Sequence, residues 1–274
     1  MRSKLIVVII FILILVFATF VFAYEESQDL TIAAEGISLL DIDCGSGFLK
    51  ITGKEGLSNI EVQAEIIVEG MSAQKTKKFI DDKLVLSLEK RGQKAYLVSK
   101  FKSNVSLFSF GTKAINLMVF VPKTIELQVD DGSGDISIAN ILGNINIEDG
   151  SGKTTIMDVQ GDLNVDDGSG ELTLHDVKGN IEIEDGSGDI TIENTEGNIF
   201  IDDNSGDIRL EESQGEVTIE DGSGAIRVQG ALGDVTISDG SGSIHVDNIE
   251  KDVIIKGVGS GGVYITNVKG QVKK

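Results

Sequence analysis

The sequence predicts an all-β fold: a parallel β-solenoid, or β-helix, of 18-residue coils with two short strands per coil, plus a small β-rich N-terminal cap with one short helix. Three observations predict it. A Gly-Ser-Gly corner recurs with its first glycine at Gly132, Gly150, Gly168, Gly186, Gly222 and Gly240, and Asn204 fills the one missing slot of that 18-residue period. Each unit divides into two nines, as in DITIENTEG followed by NIFIDDNSG, with apolar residues at the second and fourth positions and glycine at the end. Such alternation sends successive side chains to opposite faces of a strand and has no helical period. The third observation is energetic: one coil buries about five aliphatic side chains worth roughly 1.5–3 kcal/mol each, whereas ordering costs about 1–2 kcal/mol for every residue. A coil therefore holds only by stacking on its neighbours, about 4.8 Å away, through parallel backbone hydrogen bonds.

Residues 1–23 read as a signal peptide or a retained N-terminal membrane anchor. Arg2 and Lys4 precede an uncharged apolar run over residues 5–23, which ends Val21-Phe22-Ala23 ahead of Tyr24. The expected location is outside the cytoplasm, as an extracellular, periplasmic or cell-surface protein, with membrane contact only through residues 5–23 if that segment is uncleaved. Cys44 is the only cysteine, so no disulfide forms within the chain.

Residues 24–130 read as a first coil followed by a β-rich cap or insertion. The stretch LDIDCGSGFLKI, residues 40–51, is an isolated copy of the repeat with Cys44 in the aspartate slot. Residues 59–69, 84–89, 94–101 and 115–121 alternate as strands, residues 72–82 have helical character behind Ser72 as cap, and Pro122 ends the region. Residues 131–274 read as the tandem solenoid. Two facing sheets are expected there, with a three-sided coil as the alternative, because the apolar seventh position (Val159, Val177, Ile249) offers a third short wall. The corner is expected to need a positive φ, since Asn204, in one opening slot, is the non-glycine residue type that best tolerates a left-handed backbone. The last corner, Gly259-Ser260-Gly261, arrives one residue late and predicts a bulge.

Charge narrows the partners. The net charge is −20, and residues 131–250 alone hold 28 acidic against 4 basic residues. Such a surface repels phosphate backbones and anionic lipid, which disfavours nucleic acid, and attracts metal cations and cationic peptides or proteins.

The acidic residues fall into columns. Asp131, Asp149, Asp167, Asp185, Asp203, Asp221 and Asp239 occupy one; Asp130, Glu148, Asp166, Glu184, Asp202 and Glu220 precede them. Two unit charges about 5 Å apart repel by roughly 0.8 kcal/mol in water. Either each Asp accepts hydrogen bonds from the amides of its own corner, or a hard cation such as Ca²⁺ bridges adjacent coils, making Asp149, Asp167, Asp185, Asp203, Asp221 and Asp239 a weak cation ladder. The calcium-binding nonapeptide roll places its Asp two residues beyond the last glycine. Here the acid precedes the glycines or follows directly, so Ca²⁺ is admitted as a ligand but no cofactor is required for folding.

Catalytic constellations are not found. Ser133, Ser151, Ser169, Ser187, Ser205, Ser223 and Ser241 are equivalent corner residues without a base and read as a hydrogen-bond ladder. His175 and His245 fall in different outward columns and cannot share a metal. Ser137, Thr155, Thr173 and Thr191 form an outward hydroxyl column that breaks at Arg209, and Phe200 reads as a lone outward aromatic. Paired acids such as Asp202 and Asp203 keep a polysaccharide-acting β-helix enzyme as a rival, against which stand the near absence of insertions and of any tryptophan.

An early GSG coil, a helix-bearing insertion, the strand INLMVFVP and tandem DGSGxIxI coils together resemble the bacterial putative-adhesin family of exported β-solenoid domains of unknown function. The resemblance implies an exported cell-envelope protein with an adhesive or scaffolding role and no catalytic residues. The function expected is thus non-catalytic: an adhesin-like binding or scaffold protein presenting an acidic repetitive face to cations or a basic partner, with a calcium-binding β-roll-like module as the alternative.

Overall fold

The computed structural model describes residues 24–102 and 111–274, so the segment read as a signal or anchor lies outside the described residues. Among the described residues no helix is long and apolar enough to cross a membrane.

Strand β1 (Tyr24–Ala33) comes first, and β2 (Leu39–Ser46) and β3 (Leu49–Lys54) then form the first coil around Gly45-Ser46-Gly47. An insertion follows: β4 (Asn59–Val68), α1 (Ala73–Lys83), β5 (Leu84–Arg91), β6 (Lys94–Phe101) and β7 (Lys113–Pro122). The repeat resumes with β8 (Glu126–Ser133) and β9 (Ile136–Ile141) and alternates through β10 (Ile145–Asp149) to β23 (Val263–Val268) and β24 (Val272–Lys273). Odd and even strands of the repeat go to opposite walls. One twelve-stranded sheet runs β1-β4-β7-β3-β9 and on through the odd strands to β23; the other runs β5-β6-β2-β8 and on through the even strands to β24.

Register is set by the repeat. Ile181, Ile183 and Asp185 lie opposite Ile199, Ile201 and Asp203 in parallel, so an offset of one unit becomes one step up the stack. Between the sheets the aliphatics interdigitate, and Ile181, Ile183, Ile190, Ile192, Ile199 and Ile201 are all buried.

The seventh position does not build a third wall. Val159 pairs with Ile141 and Val177 inside the first sheet. The cause is the residue before it: Asn140, Asp158, Asp176, Asn194, Glu212, Gly230 and Asn248 hold φ between 56° and 74°. One left-handed residue resets the alternation, so the seventh side chain turns inward as well, and most of the series is Asn, Asp or Gly, which adopt that conformation most readily.

The Gly-Ser-Gly corner does hold a positive φ, at its closing glycine rather than in the slot that Asn204 fills. Gly134, Gly152, Gly170, Gly188, Gly206, Gly224 and Gly242 have φ of 142° to 159°, and a Cβ on any of them would lie 1.5–1.8 Å from a carbonyl oxygen of the coil below. A Cβ on the opening glycines would lie 2.5–3.0 Å from such an oxygen. That milder crowding is what Asn204 tolerates, with its N–H donating to the Asp185 carbonyl at 3.0 Å.

The cap ends the parallel stack in antiparallel edge strands. β6 lies parallel on β2 and β7 parallel on β3, forming a layer shaped like one more coil. β5 then pairs antiparallel with β6, and β4 and β1 continue antiparallel from β7. Helix α1 begins after Ser72, whose side chain makes no cap hydrogen bond; Thr76 N–H donates to the Ser72 carbonyl at 2.9 Å instead. At the far end the ladder between β20 (Val235–Asp239) and β22 (Val253–Val258) shifts after Ile237, so that Asp239 faces Val258. This is the expected bulge.

Candidate functional site

Three groups of acidic and amide side chains in the repeat differ in what each does for the fold, apart from acids such as Glu171, Glu196 and Glu211 that lie in surface ion pairs. One group follows the glycine of a corner and accepts a backbone N–H from the next coil. Asn144 Oδ1 takes the Asp162 amide at 2.9 Å, Asp162 Oδ1 the Asn180 amide at 2.9 Å, and Asp189 Oδ1 the Asp207 amide at 3.0 Å. These residues close the corner ladders that glycine leaves without side-chain partners.

A second group is buried. Asp131, Asp149, Asp167, Asp185, Asp203, Asp221 and Asp239, including all six residues of the expected cation ladder, point inward between the sheets and are 1–6% exposed. They are thus no part of the acidic surface, because the alternation that buries Ile183 buries Asp185 two residues later. Five of them serve their own corners: the Ser151, Ser169, Ser187, Ser205 and Ser223 amides donate to Oδ1 of the Asp two residues before, at 2.9–3.1 Å, whereas both oxygens of Asp239 lack a partner. Asp149 also accepts from Thr154 Oγ1 at 3.2 Å through its second oxygen. The second oxygens of Asp131, Asp167, Asp185, Asp203 and Asp221 have no partner. Burial pushes Asp131, Asp167 and Asp221 up to about 6 and Asp185 up to about 7. Two ionised neighbours about 5 Å apart at an effective dielectric near 20 repel by roughly 3 kcal/mol, which acts in the same direction. Cys44 opens this column, its thiol pushed far up by burial and by the acids beside it.

The third group is exposed and does nothing for the fold. Asp130, Glu148, Asp166, Glu184, Asp202 and Glu220 stand opposite one another on successive strands of the second sheet. Among the described residues none of the six forms an ion pair, in contrast to Asp43 at the head of the same column, which pairs with Lys100. Beside them on the same outer face runs a shallow groove of about 730 Å³, lined by Gln128, Asn146, Asn164, Glu182, Phe200 and Thr218 and by the corner row from Asn144 to Glu216. Amides dominate its floor at one end, where Asn164 Nδ2 donates to Asn146 Oδ1 at 2.8 Å.

The family model described as Toastrack DUF4097 matches residues 37–252, cap and coils together. The chain belongs to the DUF4097 (Toastrack) family. Among solved structures this Toastrack chain is similar to a putative adhesin from Parabacteroides distasonis, at 16% identity and a TM-score of 0.43, with 91% of this chain and 96% of that chain covered. It is also similar to a putative lipid binding protein from the same organism, at 16% identity, TM-score 0.38 and coverages of 91% and 96%. A putative cell adhesion protein from Clostridium sporogenes has 13% identity, a TM-score of 0.33 and coverages of 91% and 99%. No curated protein matches the chain.

The remaining candidates of the Toastrack chain resolve simply. Asp202 is exposed and Asp203 buried, so the pair cannot flank one scissile bond. The serines build their ladder through the backbone: Gly152 N–H donates to the Ser169 carbonyl at 3.1 Å and Gly170 N–H to the Ser187 carbonyl at 3.0 Å. Ser133 also uses its hydroxyl, on the Gly45 carbonyl at 3.2 Å, as Ser46 of the first corner does on the Lys113 carbonyl at 2.9 Å. His175 stands beside Asp176 at 2.7 Å, and His245 stacks on Tyr264 at 4.7 Å in another column. Thr155, Thr173 and Thr191 do form an outward column that meets Arg209 and Arg227. Among the described residues no three acids, histidines or cysteines come together as a metal site. The groove was missed in the sequence, although its signal was present: Asn146, Asn164, Glu182 and Phe200 share one outward position at a period of 18.

Proposed function

We propose that this Toastrack protein is an exported, non-catalytic binding protein of the cell envelope, and that it holds an extended cationic segment of a peptide or protein along the outer face of its second sheet. The observation that carries the reading is the unpaired column. The corner and core carboxylates are consumed by the fold and Glu171, Glu196 and Glu211 by surface ion pairs, whereas Asp130, Glu148, Asp166, Glu184, Asp202 and Glu220 form no ion pair among the described residues. Six like charges spaced about 4.8 Å apart over roughly 24 Å repel one another until counter-charge arrives, so a polycation gains at every step and screening salt weakens it. The adjoining groove gives such a segment a bed, with Phe200 and the lysine or arginine stems of the ligand in contact. The reading calls for no cofactor and no nucleic acid.

Calorimetric titration with a lysine-rich peptide, at low and at high salt, tests it. Wild type should bind, more weakly at high salt, and the variant D166N/E184Q/D202N should lose at least about tenfold in affinity. Equal affinity of the two proteins would overturn the assignment of the face.

A further inference from the structure

We propose that the buried aspartate column is an interior proton-binding site: at neutral pH some of the carboxyls between Asp131 and Asp239 are protonated inside the solenoid, and the stack is most stable when they are. This goes beyond the proposed partner face, which lies on the other side of the same strands.

Thr154 shows what the column looks at. Its hydroxyl reaches Asp149 from the facing sheet, and Asp149 is the one member of the seven with no orphaned oxygen. In the other coils the same place is held by Ile136, Leu172, Ile190, Ile208, Ile226 and Ile244. The orphaned oxygens therefore face an aliphatic wall, with water excluded. At one end the column abuts Cys44 and Ser99; at the other, Asp239 lies opposite the exposed Val258. The charged groups that bear on it, Asp166 and Asp202 from its own strands and Asp135, Asp189 and Asp207 from the corner, are all acidic. Among the described residues no lysine or arginine forms an ion pair with a member of the column.

Positive charge must come from outside, and two carriers are small enough. Ca²⁺ takes six to eight oxygens, whereas a step between coils offers the orphaned oxygens of at most two aspartates against hydrocarbon, and no cluster of three ligating side chains occurs among the described residues. A proton needs one lone pair, and a protonated Oδ2 removes the charge that burial penalises. The direction of the carboxyl shifts agrees. Asp131, Asp167 and Asp221 rise from 3.8 to about 6 and Asp185 to about 7, with burial the first cause in each. A folded-state value above the unfolded one means that the stabilisation is complete below about pH 4 and is lost as pH climbs through about 6 to 7.

Melting temperature against pH tests this, in a background with His175 and His245 both changed to Gln because imidazoles ordinarily titrate in the same window. Between about pH 5.5 and 8 the parent should lose roughly 5 °C or more. D167N/D185N/D203N, which keeps each Oδ1 acceptor but carries no charge there, should melt with a flatter profile and above the parent at the alkaline end. Parallel profiles would overturn the proposal. Carboxyl ¹³C titration of the parent protein gives a second reading independent of the variant: at least three aspartates should titrate above about pH 5.5, and midpoints all near the ordinary range would overturn it. Adding Ca²⁺ or a chelator at the alkaline end should leave the melting temperature unchanged; a Ca²⁺-dependent rise that the triple variant abolishes would assign the column to metal instead.

Discussion

Thr195 and Ser213 face each other at the seventh position of adjacent coils, both buried and neither hydroxyl hydrogen-bonded. The preceding coils put Val159 and Val177 in that column. An unpaired buried hydroxyl costs about 1–3 kcal/mol, so Thr195→Val should raise unfolding stability by about 1 kcal/mol, measured as a shift in the denaturant midpoint at unchanged slope. A loss of stability would mean that the hydroxyl has a partner. The same scale explains what could be read in advance. That the side chains of Ile190 and Ile192 point inward follows from alternation alone. The inward aim of Asp185 followed from it equally well, but charge argues for the surface more loudly than parity argues for the core, and parity prevails because the Ser187 amide waits there at 2.9 Å. The left-handed series from Asn140 to Asn248 was also legible as a run of Asn, Asp and Gly at one period, with Glu212 its least comfortable member.

At the scale of the element, coil spacing is set by glycine carbonyl contacts. Gly188 has φ of 153°, and a Cβ there would stand 1.5 Å from the Gly170 oxygen, in a direction closed by backbone. Gly188→Ala should therefore cost at least about 3 kcal/mol, while Gly186→Asn, which copies Asn204 one coil on, should cost under about 1 kcal/mol. Urea unfolding of the two variants checks both, and comparable losses would contradict the assignment of roles within the corner. Helix α1 and strands β4 to β7 were visible as elements because each carries its own period. Strand β1 was not, since YEESQDLTIA is largely polar and buries no residue fully. That β6 and β7 lie parallel on the first coil was invisible as well, because it depends on where the insertion returns rather than on its local pattern.

At the scale of the whole molecule, stacking turns repeated letters into columns, and every functional statement depends on it. The outer carboxylates form a continuous face only because each coil adds one strand to each sheet, and the inner aspartates share a dry interior for the same reason. The family match over residues 37–252 takes in both the cap and the coils, so both belong to one Toastrack unit. Pulsed electron–electron spin resonance on spin labels at positions 148 and 220, with Cys44 replaced by serine, measures the stacking directly. These positions lie four coils apart in the solenoid, a separation of roughly 19 Å between backbones, whereas eight strand-to-strand steps of an antiparallel meander would place them roughly 38 Å apart. A distance near the shorter value, allowing for the label arms, is the predicted result; one near the longer value would contradict the stack and with it both carboxylate columns.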